Sequence, residues 1–209
     1  MAIDFNKVTL DKATPTVSLA KSGDGQGTMR VNLNWTAGTA PTGGGFLAKL
    51  KAAGTPSIDL DLGAMYELAD GSVGVVQALG NAFGSLNRPP HIHLDGDDRS
   101  GSNTAGENLH ISLADIRQFR RILIFAYIYE GAPNWSAANG VVTLFPTAGP
   151  QVEVRLDSAD NQATSCAIAM LHSNGHELTV TREVCYIRGS QQQVDQAYGF
   201  GMNWTTGRK

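Results

Sequence analysis

The segment ILIFAYIY at residues 122–129 decides the fold of this chain, because it is apolar or aromatic at every position. A transmembrane helix needs about 20 such residues, so this segment is too short to cross a bilayer. A continuous apolar run rich in β-branched and aromatic residues indicates a strand that is covered on both faces. We therefore predict that residues 122–129 form the central strand of the domain.

Around this segment, apolar and polar residues alternate, which is typical of half-buried strands. The clearest examples are TMRVNLNW at residues 28–35 and SIDLDL at residues 57–62, and the Asp-Gly pair at residues 70–71 predicts a hairpin. We expect about ten strands packed as an all-β, antiparallel β-sandwich of two sheets, in a single domain covering residues 1–209. The remaining strands are predicted near residues 141–145, 152–156, 167–171 and 178–187.

Short helical segments complete the predicted sandwich. In ADIRQF at residues 114–119, a single turn is expected, capped by Ser112 or Asp115. The segment QQQVDQAYGFGMNW at residues 191–204 predicts a short helix and a closing strand, with Trp204 as an anchor.

Composition limits the function classes. The formal net charge of −3 argues against a strongly basic nucleic-acid-binding protein. The opening residues MAIDFNKVTL lack the pattern of a signal peptide, and no run approaches the 18 or so apolar residues of a membrane span. We therefore expect a cytoplasmic protein.

An acidic loop lies within IHLDGDDRSGSNTAGENLHISL at residues 92–113, and it carries Asp95, Asp97, Asp98 and Glu107. Crowded carboxylates repel one another unless a cation neutralises them. Ca²⁺ prefers six to eight oxygen ligands and tolerates the irregular geometry of a loop rich in Gly, Ser and Asn. The loop therefore predicts a calcium site.

A second acidic pair stands in SIDLDL, where Asp59 and Asp61 project from the same face of the strand, about 6.6 Å apart along it. Either the pair shares a cation or it belongs to an ordinary solvent-facing strand. An EF-hand is excluded, since a loop beginning at Asp95 has Arg99 at its fifth position and Glu107 at its thirteenth. We expect a site built by loops at one end of the sandwich.

Other chemistries fit the residues less well. His91 and His93 alternate as a zinc pair would, but no Cys or third His stands nearby to complete a tetrahedral site. Paired carboxylates also serve glycoside hydrolysis, but no G-x-S-x-G elbow and no pattern of aromatic subsites accompanies them. Cys166 and Cys185 lie in predicted strands without a CxxC motif, which predicts buried, reduced thiols.

The order of these motifs resembles the TerD family of tellurium-resistance and general-stress proteins. The resemblance rests on VNLNW, DLDL, the loop HLDGDDRSG closed by ENLHISL, the strand IFAYIYEG and a terminal WTTG, which together cover nearly the whole chain. It implies a β-sandwich that binds Ca²⁺ near its acidic loops. It places the family's acidic positions on Asp59, Asp61, Asp97, Asp98 and Glu107.

The chain departs from the family pattern before Glu107, where residues 102–106 read SNTAG instead of carrying further aspartates. We therefore expect one calcium ion, held mainly by Asp59, Asp61, Asp97 and Glu107, with Asp95 as a substitute for a missing oxygen. Fewer charged ligands lower calcium affinity.

The resemblance implies a calcium-binding, non-enzymatic module of a bacterial tellurite-resistance or stress-response system. Its expected partners are other proteins of the same system, in a complex that could associate with a membrane, and an oligomer is compatible with the sequence. Nucleic acid is not an expected partner. Two alternatives stay open at this point: a structural or oligomer-forming sandwich without a functional metal, and a metal-dependent enzyme.

Overall fold

The computed structural model describes residues 7–9, 16–21, 27–35, 58–96, 106–147 and 150–205. These residues form two sheets, which confirms the predicted all-β sandwich. Sheet A has the strand order β1-β11-β10-β3-β8-β7-β6, and sheet B has the order β2-β13-β12-β9-β4-β5. The strands are β1 (Lys7–Thr9), β2 (Thr16–Lys21), β3 (Thr28–Asn34), β4 (Asp59–Leu68), β5 (Val73–Val76), β6 (Gly84–Ser85), β7 (Ile92–Leu94), β8 (Glu107–Ser112), β9 (Phe119–Glu130), β10 (Gly140–Phe145), β11 (Gln151–Leu156), β12 (Ser165–Ser173) and β13 (Glu177–Ile187).

The apolar segment 122–129 lies in β9, which pairs with β4 on one side and β12 on the other. Alternate residues of β9 enter two different hydrophobic clusters. Ile122, Ile124 and Ala126 pack in the main core, whereas Leu123 and Phe125 belong to a second cluster on the opposite face of the strand. Both faces are therefore covered, and this explains why the strand shows no polar alternation.

The second cluster is closed by the helix that follows β13. The described residues include two short α-helices, α1 (Trp135–Ala138) and α2 (Gln191–Tyr198). A capping box at Ser190 and Gln193 starts α2, because each of the two side chains bonds to the backbone of the other residue. Val194 of α2 and Phe200 beyond it pack against β9 and β12 in this cluster.

Two local predictions are confirmed. Asp115 caps a 3₁₀ turn at Ile116–Gln118 by accepting a hydrogen bond from the backbone N–H of Arg117. The Asp-Gly pair at residues 70–71 lies in the turn between β4 and β5, where Gly71 has a φ of +85°. That left-handed conformation favours glycine.

The described strand pairs are antiparallel as predicted, except that β1 pairs with β11 in parallel. Two details of the prediction are wrong. No strand follows α2 in the described chain, which continues irregularly through Thr205. Cys166 is buried, whereas Cys185 is exposed. The two thiols face opposite sides of sheet B, since Cys185 lies opposite Ala167, the chain neighbour of Cys166. Both thiols are free.

Candidate metal centre

The two aspartates of β4 are buried, although the alternating pattern equally allowed a solvent-facing strand. Asp59 is 1% exposed and Asp61 is 0% exposed. In the register of sheet B, Asp61 lies opposite Tyr127 of β9, which belongs to the cluster beneath α2. The acidic face of β4 is therefore covered by the rest of the protein.

Glu107 of sheet A reaches β4 of sheet B. Its Oε2 accepts a hydrogen bond of 2.8 Å from the backbone N–H of Leu62, and the Glu107 residue is only 2% exposed. The pairing of β5 with β4 ends at Val76, opposite Ala64, so the N–H of Leu62 lies beyond the end of β5. The carboxylate of Glu107 takes the place of a missing strand neighbour, and it lies beside the residue that follows Asp61.

Gly106 determines how the chain enters β8 at Glu107. It adopts a φ of +63°, and a Cβ at this position would collide with the carbonyl oxygen of Leu33. The left-handed conformation and the close approach of β3 both favour glycine. Gly106 therefore sets the position from which the Glu107 side chain crosses to sheet B.

Tyr127 is the aromatic neighbour of both carboxylates. Burial raises the pKa of its phenol most strongly, and the negative charges of Asp61 and Glu107 raise that pKa further. The nearby Gln191 amide acts in the opposite direction and lowers the pKa. Tyr127 therefore keeps its proton across the physiological pH range. Its phenol lies close enough to Asp61 and Glu107 for both negative charges to act on it.

Asp95 has a different environment. It is exposed, and its Oδ2 lies 2.8 Å from Nε2 of His110 on the neighbouring strand. No sequence motif indicated this contact, because it depends on the pairing of β7 with β8. Asp97 and Asp98 lie outside the described residues.

The two histidines considered for zinc have backbone partners. Nδ1 of His91 lies 3.1 Å from the carbonyl oxygen of Leu86, and Nδ1 of His93 lies 3.1 Å from that of Phe83. Within the described ranges, no group of three or more His, Cys, Asp or Glu side chains is arranged to hold a metal ion. Any complete site therefore needs oxygens beyond Asp59, Asp61 and Glu107.

The chain is 44% identical over 209 residues to the tellurium resistance protein TerA of Alcaligenes sp., a match covering 99% of this chain and 60% of TerA. The chain is a relative of the TerD-like tellurium-resistance proteins. It spans only about 60% of the length of TerA. No family model matches.

Two solved structures agree with the sandwich. A homologue of the telluride resistance protein TerD from Streptomyces coelicolor A3(2) superposes with a TM-score of 0.51 at 16% identity, covering 78% of this chain and 91% of that chain. Protein SAV2460, of unknown function, gives a TM-score of 0.56 at 17% identity with the same coverage of both chains. At these identities the likeness establishes the fold.

The donor set of this TerD-like chain suits a hard cation. Asp59, Asp61 and Glu107 contribute carboxylate oxygens, which Ca²⁺ prefers. Burying several carboxylates is costly unless opposite charge or hydrogen bonds compensate them. The three residues therefore fit calcium in chemistry, and the other carboxylates of the acidic loop precede Glu107 in the sequence.

Proposed function

We propose that this protein is a calcium-binding, non-enzymatic module of a bacterial tellurite-resistance and general stress-response system. The observation that carries the proposal is the meeting of Glu107 from sheet A with β4 of sheet B, next to Asp61. The printed name of TerA supports the tellurium-resistance setting. The proposal assigns binding, rather than turnover, to the buried carboxylates.

The placement of the carboxylates explains how calcium would serve such a module. Asp59 and Asp61 belong to sheet B, whereas Glu107 belongs to sheet A and directly follows the acidic loop. A bound cation would offset the mutual repulsion of these carboxylates. Its free energy of binding would therefore stabilise the arrangement of both sheets and of the loop between β7 and β8.

With calcium bound, the part of the sandwich that carries Asp59, Asp61 and Glu107 would provide a surface for other molecules. We propose that this surface binds other proteins of the same system in the cytoplasm, including a membrane-associated complex. Among the described residues, no helix is both long enough and apolar enough to span a bilayer.

The test is a calcium titration followed by thermal unfolding. An ion that binds only the folded protein stabilises it by about 2.7 kcal/mol at a hundredfold excess over its dissociation constant. We expect the melting temperature to rise with calcium and the rise to disappear in Asp61→Asn. Asp70→Asn is the matched control, since Asp70 is exposed in the turn after the other end of β4.

The control removes the same charge and keeps the turn, because asparagine accepts the backbone hydrogen bond from Ser72 as aspartate does. A melting temperature that does not respond to millimolar calcium in the native chain would refute the proposal. If calcium raised the melting temperature equally in the native chain and in Asp61→Asn, Asp61 would not be a ligand of the site.

A further inference from the structure

A cavity of about 510 Å³ lies between the turn after β5, the start of α2 and the last described residues. Ligand pockets in proteins commonly measure about 300–1,000 Å³. Val75, Leu79 and Trp204 supply apolar and aromatic lining, while Gln77 and Gln191 supply amides. None of the described lining residues is Asp, Glu, Lys, Arg or His.

Gln77 is the most informative residue of this lining. It is only 5% exposed, and among the described residues its Oε1 has no hydrogen-bond partner. An unsatisfied buried acceptor lowers the stability of the folded protein. A ligand with an N–H group would satisfy the acceptor after a rotation of the side-chain amide.

Gln191 places a second amide in the same lining. It is 6% exposed, and it belongs to the first turn of α2. A primary amide presents both an acceptor and two donors. Two glutamines together therefore match a ligand that carries an N–H group and a C=O group, such as a cyclic amide.

Trp204 supplies the aromatic surface, and its orientation is fixed. Its Nε1 donates a hydrogen bond of 2.7 Å to Oδ2 of Asp195, a residue that is only 3% exposed. Aromatic side chains stack on flat heterocycles without needing charge. The uncharged lining likewise favours an uncharged ligand, since a buried ion would lack compensation.

From these features we infer that the cavity binds an uncharged planar heterocycle that presents adjacent N–H and C=O groups to Gln77 and Gln191 and stacks on Trp204. The inference goes beyond the proposed calcium site, because the lining of the cavity does not include Asp59, Asp61 or Glu107. Since Gln191 also neighbours Tyr127, the test is run in calcium-free buffer, where its outcome does not depend on the proposed site.

Acrylamide quenching of tryptophan fluorescence measures occupancy of the cavity. Trp35 and Trp135 are buried, whereas Trp204 is half-buried, so quenching reports mainly on Trp204. The probes are uracil and 2-pyrrolidinone, which both carry an N–H beside a C=O. The control probe is 1,3-dimethyluracil, which keeps the ring of uracil but has no N–H.

We expect uracil to protect Trp204 from quenching and to bind at least about tenfold more tightly than 1,3-dimethyluracil, because only uracil can donate to Gln77. Gln77→Met keeps the length of the side chain but removes the amide, and it should weaken uracil binding about tenfold. Gln162→Met changes an exposed glutamine and should bind as the native chain does. The melting temperature of each variant checks that it folds.

Side-chain amide NMR signals give a second readout, which does not depend on Trp204. Uracil should shift the signals of Gln77 and Gln191 and leave that of Gln162 unchanged. The inference is overturned if neither uracil nor 2-pyrrolidinone changes quenching or amide signals at millimolar concentration. It is also overturned if uracil and 1,3-dimethyluracil bind equally well.

Discussion

The backbone N–H of Leu62 donates a 2.8 Å hydrogen bond to Oε2 of Glu107, which joins β4 of sheet B to the first residue of β8 in sheet A. The contact is buried. It brings the carboxylate that closes the acidic loop next to the strand that carries Asp59 and Asp61. The account of the candidate metal centre depends on this relationship.

Replacing Glu107 should separate its structural role from its charge. In calcium-free buffer, Glu107→Ala should lower the free energy of unfolding by about 1–3 kcal/mol, because the buried N–H of Leu62 loses its acceptor. Glu107→Gln keeps a carbonyl oxygen at this position and should cost less. Urea unfolding of both variants measures the difference, and an alanine variant as stable as the native chain would contradict the contact.

Gly106→Ala should disturb the same place through the backbone. The new Cβ would meet the carbonyl oxygen of Leu33 in a left-handed conformation that alanine disfavours. We expect a loss of about 1–3 kcal/mol in the free energy of unfolding and a weaker response to calcium. Gly71→Ala is the control, since its φ is also positive but nothing lies within 4 Å of its Cβ position.

Comparing the two glycine variants separates backbone strain from the position of Glu107. Both should lose stability from the left-handed conformation, but only Gly106→Ala should weaken the calcium response. Equal calcium responses in the two variants would show that the entry into β8 does not position the site.

Asp195 should prove a strong contributor to the stability of the last described segment. Its carboxylate accepts hydrogen bonds from the backbone N–H groups of Gly201 and Met202, at 2.8 and 2.9 Å, as well as from Nε1 of Trp204. Asp195→Ala should lower the free energy of unfolding by about 3 kcal/mol, since it leaves three donors without this acceptor.

The fluorescence of Trp204 provides the local readout for Asp195→Ala. The emission of Trp204 should shift to longer wavelength, and its side chain should become more accessible to acrylamide. The buried Trp35 and Trp135 should stay protected. Native stability together with unchanged emission would show that the carboxylate does not hold this segment.

The pH dependence of stability should reveal the ion pairs of Glu67. Its carboxylate lies 2.8 Å from Nε of Arg121 and 3.0 Å from Nη1 of Arg120. The hydrogen bond from Arg121 is the main cause that holds the pKa of Glu67 below its usual value, and Arg120 acts in the same direction. The ion pairs of Glu67 therefore contribute to the free energy of unfolding above the pKa of Glu67 in the unfolded chain, about 4.5. This contribution is lost as the pH falls through the lower pKa of Glu67 in the folded protein.

Urea unfolding at pH 6 and pH 3 measures this contribution. The native chain should lose more stability between the two pH values than Glu67→Gln does, because the variant has no carboxylate to protonate. The same loss in both proteins would show that Glu67 does not contribute to the acid sensitivity.

The sequence predicted the parts of the fold that depend on local pattern. The apolar run at residues 122–129 predicted a strand covered on both faces, and β9 does contribute to two hydrophobic clusters. The spacing of Asp59 and Asp61 predicted their shared face. It could not reveal that the face is buried, because burial depends on Tyr127 and on the elements packed around it.

Contacts between distant segments were beyond the sequence pattern. The parallel pairing of β1 with β11 has no signature in either strand. The hydrogen bond from Leu62 to Glu107 depends on the pairing of β5 ending opposite Ala64, which no sequence motif indicates. Gln77 and Gln191 meet at one cavity only because the turn after β5 and the start of α2 pack together.

The central claim is that calcium binds between the carboxylates of β4 and Glu107. Anomalous diffraction from a crystal grown with millimolar calcium tests it most directly. We predict a difference peak about 2.3–2.6 Å from an oxygen of Asp61 and an oxygen of Glu107, which is the usual range for calcium ligands. The absence of a peak between these two residues in calcium-loaded crystals would contradict the account.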